Sequence, residues 1–278
     1  MQLADGIRLD TYGCTDQGRI RTSNQDQFLV AELHKVFDIT QTSIPKQYRH
    51  RFESGARALM LLVADGVGGI SGGEEASALT LDTVVTYVST SMRCFYKLDE
   101  HVQQELMTEL SRIVEESDAA VRSKAASTQR STMATTLTMA HILWPRAYVV
   151  QIGDSRCYHL HGDSMMQITK DQTVAREMIE QGILDPAHED RSPFKDVLTQ
   201  AIGTGDVALT AEISRVELEV GDTLLLCTDG LTKHVDDEAI RDALRQRSTA
   251  KDTAKTLLRQ ALDGGGSDNT TIVVARFG

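Results

Sequence analysis

The sequence predicts an α+β fold in which two packed sheets each carry a helical layer on the outside. Short β-branched runs bounded by Gly or Asp fill both ends of the chain, two long helical segments lie together in the middle, and a second helical pair precedes the final strand. A doubly wound parallel sheet is the competing arrangement. It requires strict alternation of strand and helix, which this order lacks.

Strands are expected at about 7–13, 27–33 and 58–64, where β-branched and aliphatic residues run between turn residues. Helical periodicity follows. Ala76, Leu79, Thr83, Val84, Tyr87 and Val88 recur at spacings of three and four, as do Val102, Leu106, Leu110, Ile113, Val114 and Val121. Ser71 with Glu74 has capping-box spacing, which starts the first helix just past an Asp-Gly turn and points its positive end at that turn. Strand patterns resume at about 134–142, 146–152, 155–161, 164–168 and 222–228. Helices at about 237–247 and 250–262 come next, the second stopped by Gly264, Gly265 and Gly266, and a strand at about 270–276 closes the order.

With 278 residues and 41% hydrophobic content the chain can bury a sizeable core, and no break in composition divides it into two units. The net charge of −11 argues against nucleic acid as a partner, because phosphate backbones demand a basic surface. No window reaches the roughly 18 apolar residues of a spanning helix, and the first residues lack the basic start and apolar core of a signal peptide. A cytoplasmic protein with no membrane partner is the expectation. Cys14, Cys94, Cys157 and Cys227 are scattered and fit reduced thiols.

One phrase occurs twice, LLVADG at 61–66 and LLLCTDG at 224–230, each an apolar run that stops at Asp-Gly. Asp154 follows the apolar run AYVVQI, and Asp268 stands just before TTIVV. A lone aspartate at a strand end is most often a turn residue bonded to its own backbone. Asp65, Asp154, Asp229 and Asp268 together favour a shared acidic site that binds hard cations, since a buried carboxylate needs a counter-charge or a proton. The histidines form no HExxH pair and the cysteines no CxxC. Oxygen donors alone suit Mg2+ or Mn2+ and suit zinc or copper poorly, and no acidic calcium loop is present.

These motifs resemble those of the metal-dependent, type 2C protein serine/threonine phosphatases in their compact bacterial form. The match runs from TDQGRIRTSNQDQF (15–28) through VADGVGG (63–69), MATTL (133–137), IGDSRCY (152–158), VLTQAIG (197–203) and CTDG (227–230) to SDNTT (267–271). Any one of them is weak; all of them in order are specific. The resemblance implies one catalytic domain over 1–278, folded as a four-layer α-β-β-α sandwich of two antiparallel sheets flanked by helix pairs. It implies Mn2+ or Mg2+ as cofactor, with two ions and a third weakly bound. By resemblance Asp65 bridges the two ions, the Gly66 carbonyl binds one, and Asp229 and Asp268 complete the ligands. Asp154 serves the third ion, Asp26 holds metal-bound water, and Arg21 grips the substrate phosphate. The implied reaction is hydrolysis of phosphoserine and phosphothreonine by attack of a bridging metal-bound water, with phosphorylated proteins and a cognate Ser/Thr kinase as partners and the chain a monomer. A catalytically weak regulator that binds phosphoproteins is the alternative; the retained aspartates favour the enzyme.

The residue chemistry suits that reaction on its own terms. Phosphate monoester hydrolysis needs both a nucleophile and charge stabilisation, and two divalent ions roughly 3.5–4 Å apart supply both. A guanidinium can hold the dianion bidentately where Lys cannot. The chain also departs from the family pattern. Val67 stands where some members carry His, Gln25 where many have Glu, and Ala134 where Gly is usual. The segment corresponding to the family's flap, about 171–196, ends in SPFKD (192–196) instead of HPxRN. An insertion at about 34–57 carries Lys35, Lys46, Arg49, Arg51 and Arg57 against Asp38 and Glu53. It is either a contact for an acidic or multiply phosphorylated partner or a solvated loop.

Overall fold

A computed structural model describes residues 6–34, 58–67, 72–92, 100–128, 133–205 and 209–278. The chain order is β1 (Leu9–Asp16), β2 (Gln27–Leu33), β3 (Ala58–Ala64), β4 (Gly66–Val67), α1 (Gly72–Thr90), α2 (Glu100–Thr128), β5 (Ala134–Thr135), β6 (Leu137–Leu143), β7 (Arg146–Ile152), β8 (Arg156–His161) and β9 (Ser164–Gln167). Then follow α3 (Val174–Glu180), β10 (Glu212–Glu217), β11 (Thr223–Cys227), α4 (Asp229–Thr232), α5 (Asp237–Arg245), α6 (Ala250–Asp263) and β12 (Thr270–Phe277). The basic insertion and Ser71 of the expected capping box lie outside the described residues.

One sheet has the order β10-β7-β6-β3-β2 and the other β1-β12-β11-β8-β9, and every pairing in both is antiparallel. The reason these strands read as unbroken apolar runs is that both faces are covered. On β3, Leu59, Leu61 and Val63 point between the sheets, where they meet Ala140, Ile142 and Val149 of the same sheet and Leu224, Leu226 and Val273 of the other. Met60 and Leu62 point the opposite way, onto Ala76 and Val84 of α1 and Leu106, Leu110 and Ile113 of α2. Side chains alternate along a strand, so a strand buried on both faces has no polar phase. On the far side, Leu225, Cys227, Ile272 and Val274 face Leu231, Ile240, Leu244 and Leu257. This is the expected α-β-β-α sandwich.

The helices begin where the sequence supplies a cap. Asp236 accepts from the backbone N–H of Ala239 at the head of α5, and Thr249 from that of Asp252 at the head of α6. The stripe Leu106, Leu110, Ile113, Val114 and Val121 of α2 is buried as its spacing requires. The expected strand at 134–142 is interrupted at Thr136, dividing it into β5 and β6. β10 has no expected counterpart. It is an edge strand paired on one side only, so its exposed charges, Glu212 and Glu217, hide the alternation.

The 171–196 segment contains α3, capped by Thr173, and a 3-10 turn at Pro186–Arg191. It is rooted on the β7–β8 turn: Gln172 N–H donates to the Gly153 carbonyl at 3.0 Å, and Arg156 grips Asp171 through Nη2 at 2.7 Å and Nε at 3.0 Å.

Candidate metal centre

Strand register brings the acidic residues to one end of the sandwich. Ala64 at the end of β3 pairs with Gln27 at the start of β2, which places Asp65 beside Asp26. In the other sheet Cys227 at the end of β11 pairs with Ile272 near the start of β12 and with Arg156 at the start of β8. Asp229, Asp268 and Asp154 therefore stand at that same rim. The convergence is electrostatically complete, since the charges of Asp26, Asp229, Asp154 and Asp268 all act on Asp65.

Each carboxylate is held by its own local structure. The Asp65 backbone is clamped on both sides: its N–H donates to Thr136 Oγ1 at 3.0 Å, and its carbonyl accepts from Thr136 N at 2.9 Å and Thr135 Oγ1 at 2.8 Å. Thr136 Oγ1 also pairs with Ser155 Oγ at 2.9 Å, tying the Asp65 turn to the residue after Asp154. The break in the strand at Thr136 lets both consecutive hydroxyls secure the acidic turn. Gly66 lies against Gly73 at the head of α1, where a side chain on either residue would strike the other's backbone.

Asp26 is 2% exposed, and its Oδ2 accepts from Thr228 Oγ1 at 2.8 Å and Thr271 Oγ1 at 2.7 Å. Thr228 occupies the cap position of α4 without capping it, because its hydroxyl is committed to Asp26. Asn269 fastens the loop before β2. Its Oδ1 accepts from Gln25 N, and its Nδ2 donates to the carbonyls of Gln17 and Ser23, each at 2.9 Å.

Two cations lie against the carboxylates. Arg21, which the resemblance assigns to phosphate, forms a fork on Asp268, Nε to Oδ1 at 2.8 Å and Nη2 to Oδ2 at 2.9 Å. Lys233, which belongs to none of the sequence motifs, reaches Asp229 Oδ2 at 2.6 Å and Asp268 Oδ2 at 2.7 Å. Its place four residues after Asp229, one helical turn on, is the signal that could have found it. Among the described residues the carboxylates do not close into a three-ligand cluster by themselves; Lys233 bridges Asp229 and Asp268, and Arg21 caps Asp268.

Charge is scarce relative to burial here. Burial first, then the neighbouring carboxylates Asp229 and Asp268, raise the pKa of Asp26 to about 7 against the pull of its two threonines. Burial and Asp229 push Asp154 up to about 8. Burial raises Asp65 well above its ordinary value and raises Asp229 against the opposing charge of Lys233. Burial also works against the Asp268 carboxylate, but the hydrogen bonds from Lys233 and Arg21 outweigh it and hold its pKa below the ordinary range.

The donor set fits hard divalent ions on two grounds. Asp26 Oδ1 and Asp229 Oδ1 are buried without any hydrogen-bond partner, leaving acidic oxygens unsatisfied inside a cluster of like charge. Every candidate side-chain donor is oxygen. His141, the buried histidine of β6, points into the helical layer, and Cys157 and Cys227 lie in the strand cores, where burial raises their thiol pKa values.

An α-β-β-α sandwich with an oxygen-only acidic cluster at one end of both sheets is a scaffold suited to binding hard divalent ions. Residues 40–264 match the family described as Protein phosphatase 2C. The chain is 31% identical over 262 residues to Protein phosphatase PhpP of Streptococcus pneumoniae, covering 94% of each chain. The fold of the Streptococcus agalactiae serine/threonine phosphatase superposes with a TM-score of 0.82 at 24% identity, over 98% of this chain and 100% of that one. The catalytic domain of the serine/threonine protein phosphatase PstP, solved in complex with two manganese ions, gives a TM-score of 0.74 at 29% identity, over 98% of this chain and 99% of that one. The chain belongs to the protein phosphatase 2C family.

Proposed function

We propose that this chain is a Mn2+- or Mg2+-dependent protein serine/threonine phosphatase, hydrolysing phosphoserine and phosphothreonine on protein substrates without a covalent enzyme intermediate. The observation that carries the reading is the convergence of Asp26, Asp65, Asp154, Asp229 and Asp268 at one rim, with Asp26 Oδ1 and Asp229 Oδ1 buried and unpartnered. Residues 1–278 would form a single catalytic domain, with 171–196 as the flap beside the cleft.

Asp65 and the Gly66 carbonyl, with Asp229 and Asp268, would hold the divalent pair, and Asp154 a third, weaker ion. Such a pair makes water acidic at neutral pH and stabilises charge on phosphoryl oxygens. The rest falls to the chain's own groups. Thr228 and Thr271 fix one oxygen of Asp26, which leaves Oδ1 without a partner and able to hold a water at the site. Arg21 is 53% exposed, and the fork it now presents to Asp268 is the geometry that grips a phosphate dianion. The clamped Asp65 turn keeps its carboxylate rigid, so little reorganisation is needed when charge develops.

The test is hydrolysis of phosphoserine, phosphothreonine and phosphotyrosine peptides with Mn2+, with Mg2+ or with chelator. Turnover of the first two with metal, abolished by chelator, is expected. Hydrolysis that persists in chelator, or none on any peptide with either metal, refutes the reading.

A further inference from the structure

Lys233 sits where the ligand assignment has no use for it. Its ammonium lies between Asp229 Oδ2 at 2.6 Å and Asp268 Oδ2 at 2.7 Å, and its charge also acts on Asp154. Asp268 is thereby saturated: Arg21 occupies Oδ1 and shares Oδ2 with the lysine. Asp229 is divided, with Oδ2 on the ammonium and Oδ1 buried and unpartnered. A divalent ion that is to draw on both carboxylates must therefore displace a cation already bound to them.

The local structure holds the lysine in place yet leaves it able to leave. Its backbone N–H donates to the Asp229 carbonyl at 2.9 Å at the end of α4, so the stem always starts within reach of the ligand. The side chain is 25% exposed, so the ammonium is not sealed in, and an unbranched four-carbon stem is flexible. Arg21 differs in having a second partner by assignment, the substrate phosphate.

We propose that Lys233 is an internal competitor for divalent metal: its ammonium neutralises the Asp229–Asp268 pair, and a metal drawing on both carboxylates has to expel it, so the lysine weakens metal affinity and stabilises the fold in chelator. This rests on Asp229 and Asp268 being metal ligands. The competition follows from linkage, since whatever favours the metal-free arrangement subtracts from metal affinity by the same free energy. It also gives the chain a threshold, with ligands engaged only when the divalent concentration is high enough to outcompete a tethered cation.

The experiment is Mn2+ binding by calorimetry, with thermal melting in chelator and in saturating Mn2+, on the wild type and on Lys233→Met, Lys233→Gln, Lys233→Arg and Asp229→Asn. Lys233→Met and Lys233→Gln should bind Mn2+ more tightly, by on the order of tenfold. They should melt lower than wild type in chelator and gain more on metal addition. Lys233→Arg keeps the charge and should stay near wild type on both counts. Unchanged or weaker Mn2+ binding by both neutral variants overturns the competition while leaving the ligand assignment standing. Undiminished Mn2+ binding by Asp229→Asn overturns the assignment, and the inference with it.

Discussion

His141 offers a quantitative test of how the core and the site divide the chain's titratable groups. It lies on β6 between Met60 and Tyr148 of the adjoining strands, is 3% exposed, and has no partner for Nδ1. Burial drives its pKa down from 6.5 to about 4. The unfolded chain takes up a proton at this residue as pH falls through 6.5, whereas the folded chain does so only near 4. The depressed group therefore contributes stability that is present above 6.5 and lost as pH falls through that window. At about 1.36 kcal/mol per unit, the loss from pH 7.5 to pH 5 is about 2 kcal/mol. Metal-free Asp26 and Asp154 act in the opposite direction. Raised to about 7 and about 8, they contribute stability that is present at low pH and lost as pH rises through those values. Only a difference between two proteins isolates the histidine. Urea unfolding of wild type and His141→Leu in chelator at pH 7.5, 6 and 5 should show the variant gaining about 2 kcal/mol relative to wild type across the series. Any packing offset is constant with pH and cancels. Parallel curves would refute the assignment of a neutral buried imidazole.

Asp229→Asn and Asp268→Asn should each abolish Mn2+-dependent peptide hydrolysis while circular dichroism shows a folded protein; near-normal turnover by either contradicts the ligand set. Thr271→Val removes one of the two hydroxyls on Asp26 Oδ2 and should cost about 2 kcal/mol at pH 8, where the carboxylate is ionised, and lower kcat as well. Urea unfolding and steady-state kinetics read both effects, and unchanged stability at that pH counts against the pairing. Arg156→Leu strands Asp171 without its fork and should cost about 3 kcal/mol, with faster limited proteolysis inside 171–196. A protease pattern identical to wild type would separate the fork from the rooting of that segment.

Much of this architecture is legible in the sequence because burial on both faces removes ambiguity. The run 58–64 has no polar phase to misread, and it is β3 residue for residue. The same holds for 146–152 and β7. The α2 stripe is equally plain, since a long helix repeats its pattern often enough to fix the face. Legibility fails where one neighbour is missing or where geometry comes from a distant segment. β10 is an edge, and α3 is a short helix whose cap, Thr173, stands in a segment read only as flap. At the site, aspartates on strand ends announce themselves by the abrupt change from apolar to acidic. Thr228, Thr271 and Asn269 do not, because each reads as an ordinary strand or turn residue and gains its role only when β11, β12 and the loop before β2 are packed. Arg21 stands out in the sequence as a candidate, but its fork on Asp268 does not, since their separation in sequence hides it.

The placement of β12 carries a consequence for biosynthesis. It lies inside its sheet, between β1 and β11, yet it leaves the ribosome after both of them. Until it arrives, β1 has no partner in that sheet, and Asp268, Asn269 and Thr271 are missing from the rim. A nascent chain already carrying Asp26, Asp65, Asp154 and Asp229 therefore has Thr228 but lacks Thr271, one of the two hydroxyls on Asp26, and lacks Asp268. The rim is thus assembled only when β12 pairs between β1 and β11, bringing Asp268 beside Asp229 and the Thr271 hydroxyl onto Asp26.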